Sequence, residues 1–200
     1  MKTSKHICLF FLLGVLNTAD GQSWNKHLEK VVSEYVFELN SQGIDTVIIY
    51  QEYGGNGILK SRNDSCEFGN TLPVTLFWVK NGQSFMTMKH DCFDYSVIGL
   101  KNRGFAKFLD ENLVKFQNEE INTDFFITHS TNQFIRIIIK QHLVLEKELK
   151  DYYFIKETPS KEINSHYEFN INVAIKKFQI MISNELIIIG QEKIIEKTRR

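Results

Sequence analysis

The feature that most constrains this chain is the stretch PVTLFWVKNGQSFMTMKHD, in which Asn81-Gly82 separates two apolar-rich runs. Asn-Gly readily adopts the two positive φ angles that a two-residue type I′ hairpin turn requires. That loop would place Trp78 opposite Phe85 and Phe77 opposite Met86, and both are favourable cross-strand pairs. The sequence therefore predicts a β-hairpin, and with it an antiparallel sheet.

Three segments carry the apolar spacing of amphipathic helices: 24–41, 104–120 and 173–189. In each segment the apolar residues lie three and four positions apart, so that they form one stripe. Ser23 is placed to cap the first helix, and Gly43 is placed to end it in a left-handed conformation. For the third segment a strand is the alternative, because Ile187–Ile189 is β-branched.

Further strands are predicted around the hairpin. Thr46–Tyr53 is rich in β-branched and aromatic residues, and its run Val47–Tyr50 is apolar on both faces, which indicates an interior strand. A second hairpin is predicted from 134–139 and 143–148, joined by Lys140-Gln141-His142. Three more segments are candidate strands: 124–128, 152–155 and 166–172.

Hairpin-rich strands with helices at intervals predict an α+β fold, an antiparallel sheet packed on one face by helices. A subdomain boundary is expected near 121–124, although no linker composition marks it.

The first 21 residues have the pattern of a secretory signal peptide. Lys2 and Lys5 form a basic start, Ile7–Leu16 is an apolar run, and Ala19 and Gly21 are small residues spaced for cleavage after Gly21. The alternative, a membrane anchor, is disfavoured because the run is too short to span about 30 Å of hydrocarbon. We therefore expect a secreted or periplasmic protein whose mature chain is 22–200.

The charge of the mature chain is balanced. The whole sequence has 24 basic and 24 acidic residues, and removal of Lys2, Lys5 and Asp20 leaves 22 and 23, a net charge of −1. A balanced chain lacks the electrostatic footprint of a nucleic-acid-binding protein. We expect no nucleic-acid partner and no membrane span after cleavage of the signal peptide.

The stretch MKHDCF raises three chemical interpretations of Cys92. As a nucleophile, Cys92 would need a base within hydrogen-bonding reach, and His90 would lie too far along an extended strand. As metal ligands, Cys66, His90 and Cys92 could be joined by Asp91 or Asp94, but H-x-C with one distant cysteine is a weak match to zinc-site spacing. We therefore predict no catalytic residues, and metal binding by His90, Cys92 and Cys66 remains only a weak candidate.

The favoured interpretation is a disulfide between Cys66 and Cys92, the two cysteines left after signal cleavage in an oxidising compartment. It would enclose 25 residues, including the hairpin, and contribute roughly 3–4 kcal/mol by chain entropy. Continuation of the hairpin register would set Cys92 opposite Thr71, so the chain must bend to bring Cys66 alongside.

Other motifs are less specific. The glycines of GGNG at 54–57 lack the rest of a phosphate-binding loop, so a turn is the better interpretation. Asn63-Asp64-Ser65 is an N-glycosylation sequon. Four aromatic residues are either core residues, which we favour, or an exposed recognition surface: Phe93, Tyr95, Tyr152 and Tyr153.

The segments DTVIIYQEY, VTLFWVKNG and DCFDY resemble uncharacterised secreted proteins of Bacteroidota over roughly 45–95. The resemblance implies export and an α+β fold, and it supplies no site residues.

Because no assembled catalytic motif is found, we expect an exported, non-catalytic binding protein without a cofactor, whose partner is a protein or a cell-envelope component. The alternative is an enzyme with an unrecognised polar site, such as a hydrolase. A deep pocket with perturbed acidic or histidine side chains would favour the enzyme, and an exposed aromatic surface would favour binding.

Overall fold

The computed structural model describes residues 26–54, 73–90, 92–101, 104–127, 130–192 and 197–199. Their elements, in chain order, are α1 (Lys26–Ser41), β1 (Thr46–Gly54), β2 (Val74–Lys80), β3 (Gln83–Lys89), β4 (Phe93–Tyr95), β5 (Ile98–Gly99), α2 (Gly104–Asn118), β6 (Thr131–Ile139), β7 (His142–Lys150), a 3₁₀ turn (Asp151–Phe154), α3 (Tyr167–Asn170), α4 (Ala174–Glu192) and β8 (Lys197–Arg199). The predicted signal peptide lies outside these residues.

The described strands form one antiparallel sheet, so the predicted α+β class is confirmed. The order is β7-β6-β1-β2-β3-β4-β8, and β5 pairs with β3 beside β4. β1 lies between β6 and β2, as its two apolar faces predict. None of the described helices combines the length and the apolar character that a membrane crossing requires.

The first hairpin has the predicted register. Trp78 pairs with Phe85 and Phe77 pairs with Met86. Asn81 and Gly82 have φ angles of 53° and 73°, the left-handed values that a type I′ turn needs. The local chemistry of these two residues thus determines which side chains meet across β2 and β3.

The second hairpin is also confirmed, with a tighter loop than predicted. The loop is Lys140-Gln141, both with positive φ, and His142 is already paired with Ile139. The register shifts by one residue at Val144, because Ile137 pairs with Leu145 while Ile138 pairs with Leu143. This bulge interrupts the alternation of side chains, which is why the apolar pattern of β7 is irregular.

The three long helices lie where their apolar stripes predict. α1 ends before Gly43, whose φ of +80° confirms the predicted left-handed stop, and the N–H of Ile44 donates to the carbonyl of Leu39. α4 runs past Gly190 to Glu192, so the alternative strand at Ile187–Ile189 is wrong.

Helices cover both faces of the sheet, so the prediction of helices on one face is wrong. β1 shows why: Val47 and Ile49 join one buried cluster, whereas Ile48 and Tyr50 join the other. The cluster on the α1 face contains the buried stripe of α1: Leu28, Val32, Val36 and Leu39. The larger cluster on the opposite face, here called the α4 face, contains residues of both α2 and α4.

Three predicted strands are wrong. Residues 124–127 are irregular, 152–155 lies mostly in the 3₁₀ turn, and 166–172 contains the helical turn α3. Two buried asparagines give the reason, because their amides bond backbone groups that a strand would pair. Asn164 Nδ2 donates to the carbonyls of Tyr153 and Ile155, at 3.1 and 3.0 Å.

The second asparagine, Asn170, bonds the backbone of Asn122, at the predicted subdomain boundary. Its Nδ2 donates to the carbonyl of Asn122 at 3.0 Å, while its Oδ1 accepts from the N–H of Asn122 at 2.9 Å. These reciprocal bonds tie the chain after α2 to α3. The boundary near 121–124 itself stays a prediction.

Candidate aromatic groove on the α1 face

A groove of about 380 Å³ lies between α1 and the tip of the first hairpin. Its described lining, here called the α1 groove, consists of Tyr35, Glu38, Leu39, Gln42, Trp78, Lys80, Phe85 and Val97. Its volume is within the range of small-ligand sites, which are mostly apolar and carry few polar groups. The α1 groove is therefore the candidate functional site.

Three aromatic rings from three elements form the centre of the groove. The Trp78 and Phe85 rings are stacked at a centroid distance of 6.0 Å, as cross-strand partners of the hairpin. Tyr35 of α1 meets Trp78 edge-on, also at 6.0 Å. Trp78 is buried, whereas Tyr35 and Phe85 are half-buried and expose part of their rings. A rigid, partly exposed aromatic surface is suited to anchoring an apolar group.

The rim of the groove carries charge. Glu38 lies in the last turn of α1 and Gln42 follows the end of the helix, and Gln42 Nε2 donates to Glu38 Oε1 at 3.4 Å. Lys80, at the end of β2, is exposed, and so is Val97, just before β5. An apolar centre with a polar rim is the arrangement found in protein interfaces.

A buried lysine supports the Tyr35 ring. Lys89 Nζ lies 3.7 Å from the centroid of that ring and 3.7 Å from Asp94 Oδ1. Burial raises the pKa of Tyr35 to about 12, and the carboxylates of Glu38 and Asp94 add to the increase. The Tyr35 hydroxyl is therefore a neutral hydrogen-bonding group at physiological pH.

His90 and Cys92 do not lie on one continuous strand, because β3 ends at Lys89 and β4 begins at Phe93. The backbone N–H of Cys92 donates to His90 Nδ1 at 3.2 Å, and the His90 ring lies 5.3 Å from that of Phe93. The described pairing of β2 with β3 ends at Val74 and Lys89, and Thr71, which a continued register would set opposite Cys92, lies outside the described residues.

The cysteine and metal hypotheses depend partly on residues outside the described part of the chain. Cys66 and Asp91 fall there, as do Asn63 and residues 55–57 of the GGNG turn. Cys92 is not a free side chain, and its pairing with Cys66 stays a prediction. Among the described residues, no group of three or more His, Cys, Asp or Glu side chains is arranged to hold a metal ion. Asp94 is paired with Lys89.

The four aromatic residues considered as a recognition surface are mostly core residues. Phe93, Tyr152 and Tyr153 are buried, and Tyr95 is half-buried. The preferred core interpretation is confirmed for the three buried rings. A partly exposed cluster of aromatic rings lies instead in the α1 groove. The sequence predicts the helix and the hairpin that supply these rings, but it does not predict that the two elements meet.

Comparison with protein-family models, with curated proteins and with solved structures finds no match to this chain.

Proposed function

We propose that this is an exported, non-catalytic binding protein and that the α1 groove holds an apolar side chain of a protein partner. The observation that carries the proposal is the three-ring centre of Tyr35, Trp78 and Phe85 beside a charged rim, in which Tyr35 and Phe85 expose part of their rings. Binding energy in protein interfaces is concentrated at such aromatic centres. The basic and apolar leader of the sequence supports export.

The composition of the groove favours binding over hydrolysis. Its described lining contains one carboxylate, Glu38, and no serine, cysteine or histidine. A hydrolase of the nucleophile type needs a nucleophile and a base within hydrogen-bonding reach of each other. The lining thus offers anchoring contacts and hydrogen bonds at its rim.

The proposal is tested by peptide selection against the mature chain, followed by titration of the selected peptides. Trp78 lines the groove, and the chain has one other tryptophan, Trp24, so a Trp24→Phe background makes the fluorescence report on Trp78. Peptides with an aromatic or aliphatic anchor are expected to change this fluorescence in a saturable way.

Val97→Glu is the decisive variant, because it sets a carboxylate at the mouth of the groove. The matched control is Val114→Glu, on the exposed surface of α2, where the valine is 67% exposed compared with 53% for Val97. Val97→Glu is expected to weaken peptide binding at least tenfold and Val114→Glu to leave it unchanged. Equal binding by both variants would show that the peptide binds elsewhere, and it would refute the α1 groove as the binding site.

We also propose that Cys92 forms a disulfide with Cys66. The support is the predicted export together with the half-buried position of Cys92 at the bend between β3 and β4. Alkylation of the denatured, unreduced mature chain is expected to add no label, whereas reduction first should allow two. Two labels without reduction would contradict the disulfide.

A further inference from the structure

A band of polar side chains crosses the apolar α4 face where α4 packs on β1 and β6. Six residues form this band, here called the α4 seam: Tyr50, Gln133, Asp151, Lys176, Gln179 and Ser183. Polar groups in a core are normally paired, because an unpaired buried group has lost its hydrogen bonds to water.

On the sheet side, Gln133 is held by two carboxylates. Its Nε2 donates to Asp151 Oδ1 at 2.8 Å and to Glu52 Oε1 at 3.3 Å. Since carboxylates accept and do not donate, these two bonds fix which end of the amide carries nitrogen. Gln133 Oε1 therefore points away from them, and it has no hydrogen-bond partner.

On the helix side, three residues form a chain of hydrogen bonds. Lys176 Nζ donates to Gln179 Oε1 at 2.7 Å, and Gln179 Nε2 donates to Ser183 Oγ at 2.8 Å. Lys176 Nζ also lies 4.3 Å from the centroid of the Phe154 ring. The lysine fixes the orientation of the Gln179 amide, as the carboxylates fix that of Gln133.

The Tyr50 hydroxyl lies near Ser183 and Gln179, but it makes no hydrogen bond of ordinary length and angle to either side chain. Glu52 is directly opposite Gln133 in the sheet, so Tyr50, two residues earlier on β1, is the diagonal neighbour of Gln133 on the same face. Tyr50 and Gln133 are each only 2% exposed. A donor and an acceptor, both buried and unpaired, thus occupy neighbouring positions.

We propose that an ordered water molecule binds between Tyr50 Oη and Gln133 Oε1, accepting from the hydroxyl and donating to the amide oxygen. Water fits because it donates and accepts at once, and buried waters commonly bridge polar groups that would otherwise be unpaired. Ser183, which interacts with Tyr50, can supply a third bond. The deep burial of Tyr50 and Gln133 disfavours a larger ligand.

The direct test is a crystal structure of the mature protein at a resolution that shows ordered solvent. We expect a solvent atom within hydrogen-bonding distance of both Tyr50 Oη and Gln133 Oε1. A direct bond from Tyr50 Oη to Gln133, Gln179 or Ser183, with no solvent atom between them, would overturn the proposal.

Unfolding experiments on Tyr50→Phe provide a second test that does not need crystals. If water bridges the hydroxyl to Gln133, the variant loses a hydrogen bond and its folding equilibrium constant falls about fivefold. If the hydroxyl is unpaired in the folded protein, its removal relieves an unsatisfied buried group and the constant rises. A rise would contradict the bound water.

A double-mutant cycle separates the water from a general effect of core substitution. Tyr50→Phe combined with Gln133→Met is expected to show a coupling of several fold, because both groups hold one molecule. The control cycle is Tyr35→Phe with Gln133→Met, whose residues lie on opposite faces of the sheet and should be additive. Additivity in both cycles would contradict the bridge.

Discussion

The two faces of the sheet differ in how their apolar and polar side chains are arranged. On the α1 face, one helix covers a narrower apolar cluster, and the space left beside the hairpin tip forms the α1 groove. On the α4 face, two long helices cover a larger cluster, and the α4 seam brings polar groups into it, of which Tyr50, Gln133 and Gln179 are buried. Apolar surface is open to solvent on one face, while polar groups are buried on the other.

This contrast suggests a division of roles. Aromatic surface that folding leaves exposed is available to a partner, and it is held in place by the hairpin beneath it. Polar groups enclosed in a core make no such contacts, and their effect is on stability and on the specificity of packing. We therefore propose that binding takes place on the α1 face and that the α4 face contributes mainly to stability.

The largest predicted effect is on the α4 face. Phe178 is fully buried and its ring meets three rings of α2: Phe105 at 5.1 Å, Phe116 at 5.2 Å and Phe108 at 6.1 Å. Phe178→Ala is expected to lower the free energy of unfolding by about 4 kcal/mol. Val36→Ala, at a fully buried site of α1, should lower it by about 2 kcal/mol.

Urea unfolding of both variants measures this difference directly. An equal loss in the two variants would show that the α4 face does not dominate stability, and the assigned division of roles would then be wrong. Phe169→Ala, at a ring 59% exposed, is the control and should change the free energy of unfolding by less than about 0.5 kcal/mol.

A smaller effect is expected at the margin of the α1 face. Arg136 lies opposite Ile49 in the sheet, its side chain is 7% exposed, and its Nε donates to Glu146 Oε2 at 2.7 Å. Glu146→Ala removes the carboxylate but leaves the Arg136 charge buried, so we expect the free energy of unfolding to fall by about 2 kcal/mol. The loss is smaller than for a fully buried pair, because Glu146 is itself partly exposed.

The matched control is Asp45→Ala, which breaks an exposed pair with Lys140 and should change stability by less than about 0.5 kcal/mol. If the two substitutions have the same effect in urea unfolding, Arg136 does not depend on Glu146 in the folded protein.

A further effect is confined to alkaline pH, where a tyrosine from each face can be compared. Burial raises the pKa of Tyr35 and that of Tyr50 from 10.0 to about 12. An unfolded tyrosine ionises near pH 10, so each contributes stability that is present below pH 10 and lost progressively up to about pH 12. Wild-type stability should fall in this interval through both residues.

In each of the variants Tyr35→Phe and Tyr50→Phe, stability should fall less steeply with pH above pH 10. Urea unfolding at a series of pH values measures this slope. Lys176 has the opposite effect on stability, because burial lowers its pKa in the folded protein. The unfolded chain therefore keeps the lysine proton to a higher pH than the folded protein does, and stability rises as the pH is raised. Both variants keep Lys176, so their differences from wild type isolate the tyrosines. An unchanged slope in either variant would contradict the raised pKa of that residue.

The parts of the fold that local chemistry determines are predictable from the sequence. Asn81-Gly82 fixes the register of the first hairpin, Gly43 ends α1, and the apolar stripes locate the three long helices. In these cases the residues that specify an element lie within it. The same holds for the interior position of β1, which its two apolar faces indicate.

The parts that long-range contacts determine were missed. The amide of Asn164 holds carbonyls 9 and 11 residues away, which converts a predicted strand into the 3₁₀ turn. The side of the sheet on which α1 packs depends on the whole sheet order, and α1 supplies Tyr35 and Leu39 to the groove. The site was therefore not predictable from spacing, although the Trp78–Phe85 pair within it was.

Binding to the α1 face is tested most directly by an NMR map of a bound ligand on residues 22–200. Amide and methyl shifts would be followed as a selected peptide with an aromatic anchor is added. We expect the largest shifts at Leu39, Phe85 and Val97, with little change at the α4-seam residues Gln133 and Gln179. Shifts concentrated in the α4 seam, or none at the groove, would contradict the assignment of binding to the α1 face.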